Sequence, residues 1–396
     1  MSTNLGDHVS LCRGTTYKSL LLDEPGPMLL GLGSIQRNGG FKGDGLRTYG
    51  GDSPAKVLIY PGDIYVSLKD VTHSADLLGA VACVPEQIEC GRLTQDTVKL
   101  EFDGLPIDRR YVYWALRTPQ YRSYCRERAT GTTNLGLSRA DFFAFGLPAP
   151  TKERLALVEL LDSIDDKVAA NRRLAETADE LAETIFRNAV AGDGPDHELR
   201  EVAGLITRGV APKYTDDETE LTVLNQKCIR SKRIDLTPAR RTLSAKVADT
   251  KRLCINDVLV NSTGAGTLGR VARWVLGIEA TVDSHVSIVR FDPTRVDEVC
   301  AGFAVLHMQE VIEMMGEGST GQTELSRDQL GKLRLRFIAR EREPHVSAQL
   351  QSLSSASIVH LAENEKLATL RDTLLPRLMS GELRVKDAER LAEAVL

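Results

Sequence analysis

Between Leu155 and Arg187 the apolar residues recur in alternating steps of four and three. They read Leu157, Leu161, Ile164, Val168, Asn171, Ala175, Ala178, Ala182 and Ile185. That is the a/d seam of a coiled coil, apolar except at Asn171. A polar residue in such a seam costs stability but fixes register, because a slipped partner leaves its amide unpaired. No Pro or Gly interrupts the stretch, and Ala, Leu, Glu and Arg are frequent, so a helix is expected over 149–190, its Leu155–Arg187 part a rod of ~50 Å at 1.5 Å per residue. Taken alone, such a helix could simply pack on a globular core. A second copy alters that reading. Adding 193 maps Val168, Asn171, Leu174, Leu181 and Ile185 onto Leu361, Asn364, Leu367, Leu374 and Leu378. Residues 343–385 are therefore expected to form a partner helix. Ser352, Ser354, Ser355 and Ser357 break its seam and blur its start, and Pro376 and Gly381 break the pattern late. Two such helices most simply pack antiparallel.

Before each helix lies a block with the shorter period of strands and brief helices. Lys56–Ser67 reads as strand, Pro-Gly turn and strand, Thr97–Phe102 as a strand, and Arg109–Arg126 as helical. Leu147-Pro148-Ala149-Pro150 ends the first block, and Thr151 is placed to cap the helix. The blocks repeat each other. Asp63-Ile64-Tyr65-Val66-Ser67 recurs as Asp257-Val258-Leu259-Val260-Asn261. Leu78-Gly79-Ala80-Val81-Ala82 recurs as Leu268-Gly269-Arg270-Val271-Ala272, and Leu137-Ser138-Arg139 as Leu325-Ser326-Arg327. The expected division is a first block over 1–148, the helix over 149–190, a Gly-Asp-Gly-Pro linker over 191–198, a second block over 199–342, the second helix over 343–385 and a tail over 386–396.

Composition limits the function. The net charge of −5 looks unfavourable for a polyanion partner, but the acidic excess sits mainly in the central helix and its linker, leaving both blocks free to carry basic faces. Lys227–Arg252 holds nine basic residues against two acids; among them Lys227, Arg230, Lys232, Arg233, Arg240 and Arg241 are candidate contacts to a polyanion. Arg37, Lys42, Arg47 and Lys69 are the thinner counterpart in the first block. The seven scattered Cys form no CxxC pair, which argues against a disulfide framework or zinc site and for a reducing cytoplasm. No signal peptide or apolar run of membrane-spanning length stands out. No phosphate loop, HExxH or amino-methyltransferase motif is present, and His73, His285 and His307 lack partner patterns. Gly264-Ala265-Gly266-Thr267-Leu268-Gly269 matches GxGxxG, but the residues after Gly269 read as strand rather than helix, and the repeat keeps only Gly79. Ser262, Thr263 and Arg270 on that loop are candidate contacts to phosphates or bases instead. Thr130–Asn134 and Ser319–Thr323 suit either such contacts or turn formation.

With both blocks, Leu147–Pro150 followed by Leu160–Phe186, and the terminal Leu370–Val385 in view, the chain resembles the specificity (S) subunit of Type I restriction–modification enzymes. The resemblance covers essentially the whole chain, and its helical parts are the specific ones. It implies an α+β fold: two pseudo-symmetric α/β target-recognition domains separated by two long helices that form an antiparallel coiled coil. It implies a non-catalytic cytoplasmic subunit that reads a bipartite target in double-stranded DNA. The helices would set the gap and dock two methyltransferase (M) subunits, and a restriction (R) subunit can join. Cofactors belong to those partners: S-adenosylmethionine in M, ATP and Mg in R, none in this chain. Two alternatives stand beside it, a nucleotide-cofactor enzyme using the Gly264–Gly269 turn and a coiled-coil adaptor without DNA binding.

Overall fold

The computed structural model describes residues 3–72, 74–132, 134–192, 194–316 and 324–380. The chain divides into two compact units, one of residues up to Asn171 with those from Ala362, the other Arg172–Leu361. Each long helix therefore begins in one unit and ends in the other.

In the first unit a four-stranded antiparallel sheet is made by β1 (Ser10–Arg13), β4 (Ile64–Ser67), β5 (Val81–Cys83) and β7 (Thr97–Glu101), in the order β1-β7-β4-β5. A three-stranded sheet of β2 (Met28–Leu30), β3 (Leu58–Ile59) and β6 (Gly91–Leu93) accompanies it, in the order β2-β6-β3. Strand side chains alternate faces. Ile64, Val66, Val81 and Val98 accordingly join one core with helices α1 (Arg109–Ala115) and α2 (Pro119–Glu127), while Tyr65, Ala80 and Ala82 join another with Leu30, Ile59 and Leu93. Both faces are buried, so the strand reads as an unbroken apolar run. Helix α3 (Arg139–Phe143) closes the domain, its N-terminus capped by Ser138, whose hydroxyl accepts from the Asp141 amide at 3.0 Å.

The long helix α4 spans Lys152–Val190. Thr151 Oγ1 accepts from the Arg154 amide at 3.4 Å, as the expected cap requires.

The second unit repeats the layout. Strands β8 (Ala203–Arg208), β14 (Val258–Asn261), β15 (Val271–Arg273) and β17 (Val286–Phe291) form a sheet in the order β8-β17-β14-β15. A second sheet joins β9 (Tyr214–Thr215), β10 (Leu221–Leu224), β13 (Arg240–Thr242) and β16 (Ala280–Val282), in the order β9-β13-β10-β16. Between them lies the hairpin of β11 (Ile229–Arg230) and β12 (Arg233–Ile234). Helices α5 (Glu298–His307), α6 (Gln309–Met314) and α7 (Arg327–Gly331) come next, then the second long helix α8 (Glu343–Ser380). Alternation again splits the central sheet: Val258, Val260, Val271 and Val289 face the helices, whereas Leu259, Ala272 and Ile288 face the second sheet. Residues 196–198 of the expected linker are a strand paired with Arg334–Arg336.

The sequence repeats are structural repeats. β4 pairs with β5 as β14 pairs with β15, residue for residue. Gly79 and Gly269 precede the second strand of each pair with φ of 72° and 82°. Asp63 receives Lys99 Nζ at 2.7 Å and the Tyr60 amide at 3.0 Å. Its counterpart Asp257 receives Arg290 at 2.7 and 2.8 Å and the Cys254 amide at 2.7 Å. The basic partner has moved two residues along its strand, which keeps it on the same face.

The long helices run antiparallel within each unit and share their seam with the domain core. In the first unit Leu157, Leu161 and Ile164 meet Leu367, Leu370 and Leu374; in the second, Ala182, Phe186 and Ala189 meet Val346 and Leu350. Val168 and Ile185 are only partly buried, and the seam ends on Phe186 and Ala189 rather than on Ile185. On α8 the seam passes through Ser357, 4% exposed, so the serines do not end the helix. Two expected pairing residues are corrected. Leu174 and Leu181 are 51% and 47% exposed, because they fall one position outside the buried set Asn171, Ala175, Ala178 and Ala182. Leu361 and Asn364 are partly buried, and the side chain of Leu378 lies outside those described.

Candidate nucleic-acid interface

The basic residues of the two domains divide by what they touch. Several are committed to the scaffold. In the first unit Arg110 Nε donates to Asp162 at 2.9 Å, Trp114 Nε1 reaches the same oxygen at 2.6 Å, and Arg117 reaches Asp165 at 2.9 Å. Arg371 of α8 joins Asp165 at 3.2 Å. In the second unit Lys232 pairs with Glu183 at 3.1 Å, and Arg233 Nε donates to Asp179 at 2.7 Å. Four of the nine acids of residues 149–190, Asp162, Asp165, Asp179 and Glu183, are the sockets of these cations. Lys232 and Arg233, candidates for DNA contact on composition, are tethers in this structure. Their turn is strained, with Ser231 and Lys232 both at positive φ (50° and 59°), where side chains clash with backbone.

Other candidates sort similarly. Arg47 pairs with Asp23, and Lys69 with Asp96 at 3.3 Å. Arg241 donates to the Glu220 carbonyl at 3.1 Å and to Thr222. Arg37 is exposed, 3.9 Å from Asp76. Ser262 is corrected: it is fully buried, bonded to Ser287 at 2.7 Å, and reaches no surface. Thr263 meets His285 Nδ1 at 2.8 Å, and Arg270 donates to the Gly266 carbonyl at 2.8 Å. Arg240 lies over the Tyr214 ring, 3.6 Å from its centroid, a cation–π platform on an exposed strand. Lys42, Lys227 and Arg230 are exposed with no side-chain hydrogen bond or ion pair among the described residues. Thr130 closes its own turn on the Gly136 carbonyl at 3.0 Å. His307 stands 3.9 Å from Glu183. His73, Thr133 and Ser319–Thr323 lie outside the described residues.

The Gly264–Gly269 stretch is the loop of the β14–β15 hairpin, with Gly264, Gly266 and Gly269 at positive φ. It leads into a strand and not a helix, so the strand–turn–helix that gives GxGxxG its affinity for a dinucleotide is missing. Gln226 Oε1 accepts from Thr267 Oγ1 at 2.8 Å, and a Cβ on Gly264 would lie 1.8 Å from it. Gly264, at φ 107°, holds a conformation that favours glycine and packs against the end of the Gln226 side chain.

In the sequence Arg208 has no distinction, Lys251 counts only among the nine basic residues of Lys227–Arg252, and Arg327 shows only in the repeated Leu-Ser-Arg. Arg208, at the end of β8, donates to the carbonyls of Leu325 at 2.7 Å and Ser284 at 3.3 Å, and to Glu324 at 2.8 Å. Lys251 Nζ bonds Thr207 Oγ1 and the Arg208 carbonyl. Arg327, the first residue of α7, is exposed with no side-chain hydrogen bond or ion pair among the described residues, and it borders an open groove of about 620 Å³ with Arg200, Leu205 and Ile206. Burial lowers the pKa of Arg208, opposed by Glu324 and reinforced by the charge of Arg327; burial followed by Arg327 lowers that of Lys251. Among the described residues no cluster of His, Cys, Asp and Glu could hold a metal ion, and no helix is long and apolar enough to cross a membrane.

No family model and no curated protein matches this sequence. Solved structures do. A Type-I restriction-modification system S subunit from M. genitalium aligns with a TM-score of 0.61 at 15% identity, covering 96% of this chain and 96% of that one. A structure describing complex assembly and conformational transition of the type I R-M system gives 0.41 at 14% identity, covering 97% and 98%. The HsdS subunit from Thermoanaerobacter tengcongensis gives 0.33 at 15% identity, covering 97% of each chain. The first of these is a likeness of fold over almost the whole length of both chains.

Proposed function

We propose that this chain is the sequence-recognition subunit of a Type I restriction–modification complex, reading a bipartite site in double-stranded DNA and docking two methyltransferase subunits. The observation that carries the proposal is the internal repeat within that fold. Two copies of one domain, each continued by an antiparallel seam helix, suit a target of two half-sites. The chemistry would belong to the partners: S-adenosylmethionine with the M subunits, and ATP with Mg in an R subunit where one joins. This subunit acts by differential binding, with cations on phosphates for affinity and register and polar side chains on base edges for sequence. The working compartment is the cytoplasm.

The test is methylome mapping in a host that carries this chain together with its M subunit. A methylated motif of two half-sequences separated by a fixed gap is the expected result. Removing one heptad from α4 and the matching heptad from α8 should change or abolish the tolerated gap while each half-sequence preference persists. A continuous motif, or a motif unaffected by loss of this chain, refutes the proposal.

A further inference from the structure

The two domains build the same corner from corresponding residues. Strand register pairs Arg13 with Val98 and Arg208 with Ser287, and Val66 with Val98 and Val260 with Ser287, so Arg13 and Arg208 occupy equivalent places at the end of the outer strand. Each reaches the carbonyl of the same turn: Arg13 Nε to Gln95 at 3.0 Å, Arg208 Nη1 to Ser284 at 3.3 Å. The backbone around them repeats as well. The Gly14 amide donates to Thr97 at 3.1 Å as Gly209 does to Val286 at 3.0 Å. The Leu137 amide donates to Leu68 at 2.9 Å as Leu325 does to Ser262 at 2.9 Å. That last bond brings the start of the next short helix into the corner. Its first residue is Arg139 in one domain and Arg327 in the other, each preceded by a serine cap. Both arginines are exposed, and their side chains make no hydrogen bond or ion pair among the described residues.

The two corners differ in their side chains: Glu324, bonded to Arg208, stands where the first domain has Gly136, and one facing pair is exchanged. Where Lys69 Nζ meets Asp96 at 3.3 Å, the second domain has Thr263 and His285 at 2.8 Å. Duplex DNA presents the same phosphates to both domains but different bases. What the corners share suits the common feature, and what they do not share suits the variable one. A guanidinium fork matches a phosphate's oxygens. An ammonium–carboxylate pair and a hydroxyl–imidazole pair present different donors and acceptors to a groove.

Resting on the DNA-recognition reading above, we propose that this corner is where each domain meets the duplex. Arg13 and Arg139 in the first domain, and Arg208 and Arg327 in the second, take backbone phosphates. Lys69–Asp96 and Thr263–His285 read base edges of the two half-sites. Glu324, which holds Arg208 in the free chain, yields it to the phosphate.

The test uses the full chain and a fluorescent random-sequence duplex, with affinity measured from low to moderate salt. Arg139→Ala and Arg327→Ala, chosen because they break no side-chain hydrogen bond or ion pair among the described residues, should each reduce the slope of log affinity against log salt by about 1. They should weaken unrelated duplexes by the same factor, with unchanged thermal melts. Selection from a randomised duplex pool should show Thr263→Ala altering one half-motif and Asp96→Asn the other. If wild-type protein binds duplex with a salt-dependent slope and both arginine variants keep that slope, the corner assignment is wrong while DNA recognition stands. If the wild-type chain shows no salt-dependent duplex binding, both fall.

Discussion

Asn171 donates from Nδ2 to the Oδ1 of Asn364 at 3.0 Å and to Glu363 at 2.7 Å, inside a seam whose other buried positions on α4 are apolar. Asn364 in turn donates to the Val168 carbonyl at 3.2 Å. The Asn171 Oδ1 is buried without a partner among the described residues. This arrangement sets register at a cost in stability. Asn171→Ala should destabilise the protein by about 1–3 kcal/mol, because it strands the Asn364 carbonyl oxygen and takes one donor from Glu363, which keeps Lys167 at 3.5 Å. The double variant Asn171→Leu with Asn364→Leu should recover that loss and exceed wild type. Urea unfolding measures both, and a double variant less stable than the single one contradicts the idea.

The repeated carboxylate offers an internal comparison. The Asp257 side chain is fully buried against Arg290, whereas Asp63 and Lys99 keep 17% and 20% of their side-chain surface. Removing one partner of a buried pair leaves an uncompensated charge, at about 3–5 kcal/mol. Arg290→Ala, which strands the fully buried Asp257, should therefore cost that much, and Lys99→Ala, which strands the partly exposed Asp63, clearly less. Equal losses would mean that burial does not govern the pair.

Helix α1 predicts an alkaline limit. Burial pushes Tyr111 and Tyr113 up to about 12 from the ordinary 10. The unfolded chain then releases these protons at lower pH than the folded one, so between pH 10 and 12 the native state holds more protons and stability falls as pH rises. Their contribution is fully present below pH 10. Tyr113→Phe should make the fall shallower across that window without changing the pH of onset, as followed by thermal melts in steps of pH.

Which parts of this architecture are legible in sequence depends on how local the cause is. The seam from Leu157 to Ala182 is visible because burial follows helical phase, and the repeats are visible because a left-handed residue before a strand demands Gly79 and Gly269. The offset of 193 misassigned Leu174, which is exposed, although its partner Leu367 is 2% exposed. Matching letters copy sequence, whereas burial depends on which domain covers each helix. The tethers were invisible for the same reason. Lys232 and Arg233 look like free cations until the fold brings Glu183 and Asp179 to them from some fifty residues away. Ser262 reads as a loop hydroxyl, and only the β14–β17 pairing shows it turned inward onto Ser287.

The glycines of the β14–β15 loop separate two demands that sequence merges. Gly266 and Gly269 both have positive φ, at 72° and 82°. A Cβ at Gly266 would meet nothing within 4 Å, but at Gly269 it would lie 2.5 Å from the Glu313 Cα and 2.6 Å from its amide nitrogen. Gly266→Ala therefore bears only the strain of the left-handed conformation, about 1–2 kcal/mol. Gly269→Ala adds a clash with the backbone of α6, which can be relieved only by moving that helix off the sheet. It should destabilise substantially more, and Gly79→Ala should do less harm, because there the nearest atoms, Cys125 Sγ at 2.5 Å and Tyr121 OH at 2.9 Å, are side-chain atoms. Chemical denaturation of the three variants gives the order. A Gly266→Ala variant as damaged as Gly269→Ala would show that conformation, not packing against α6, selects glycine in this loop.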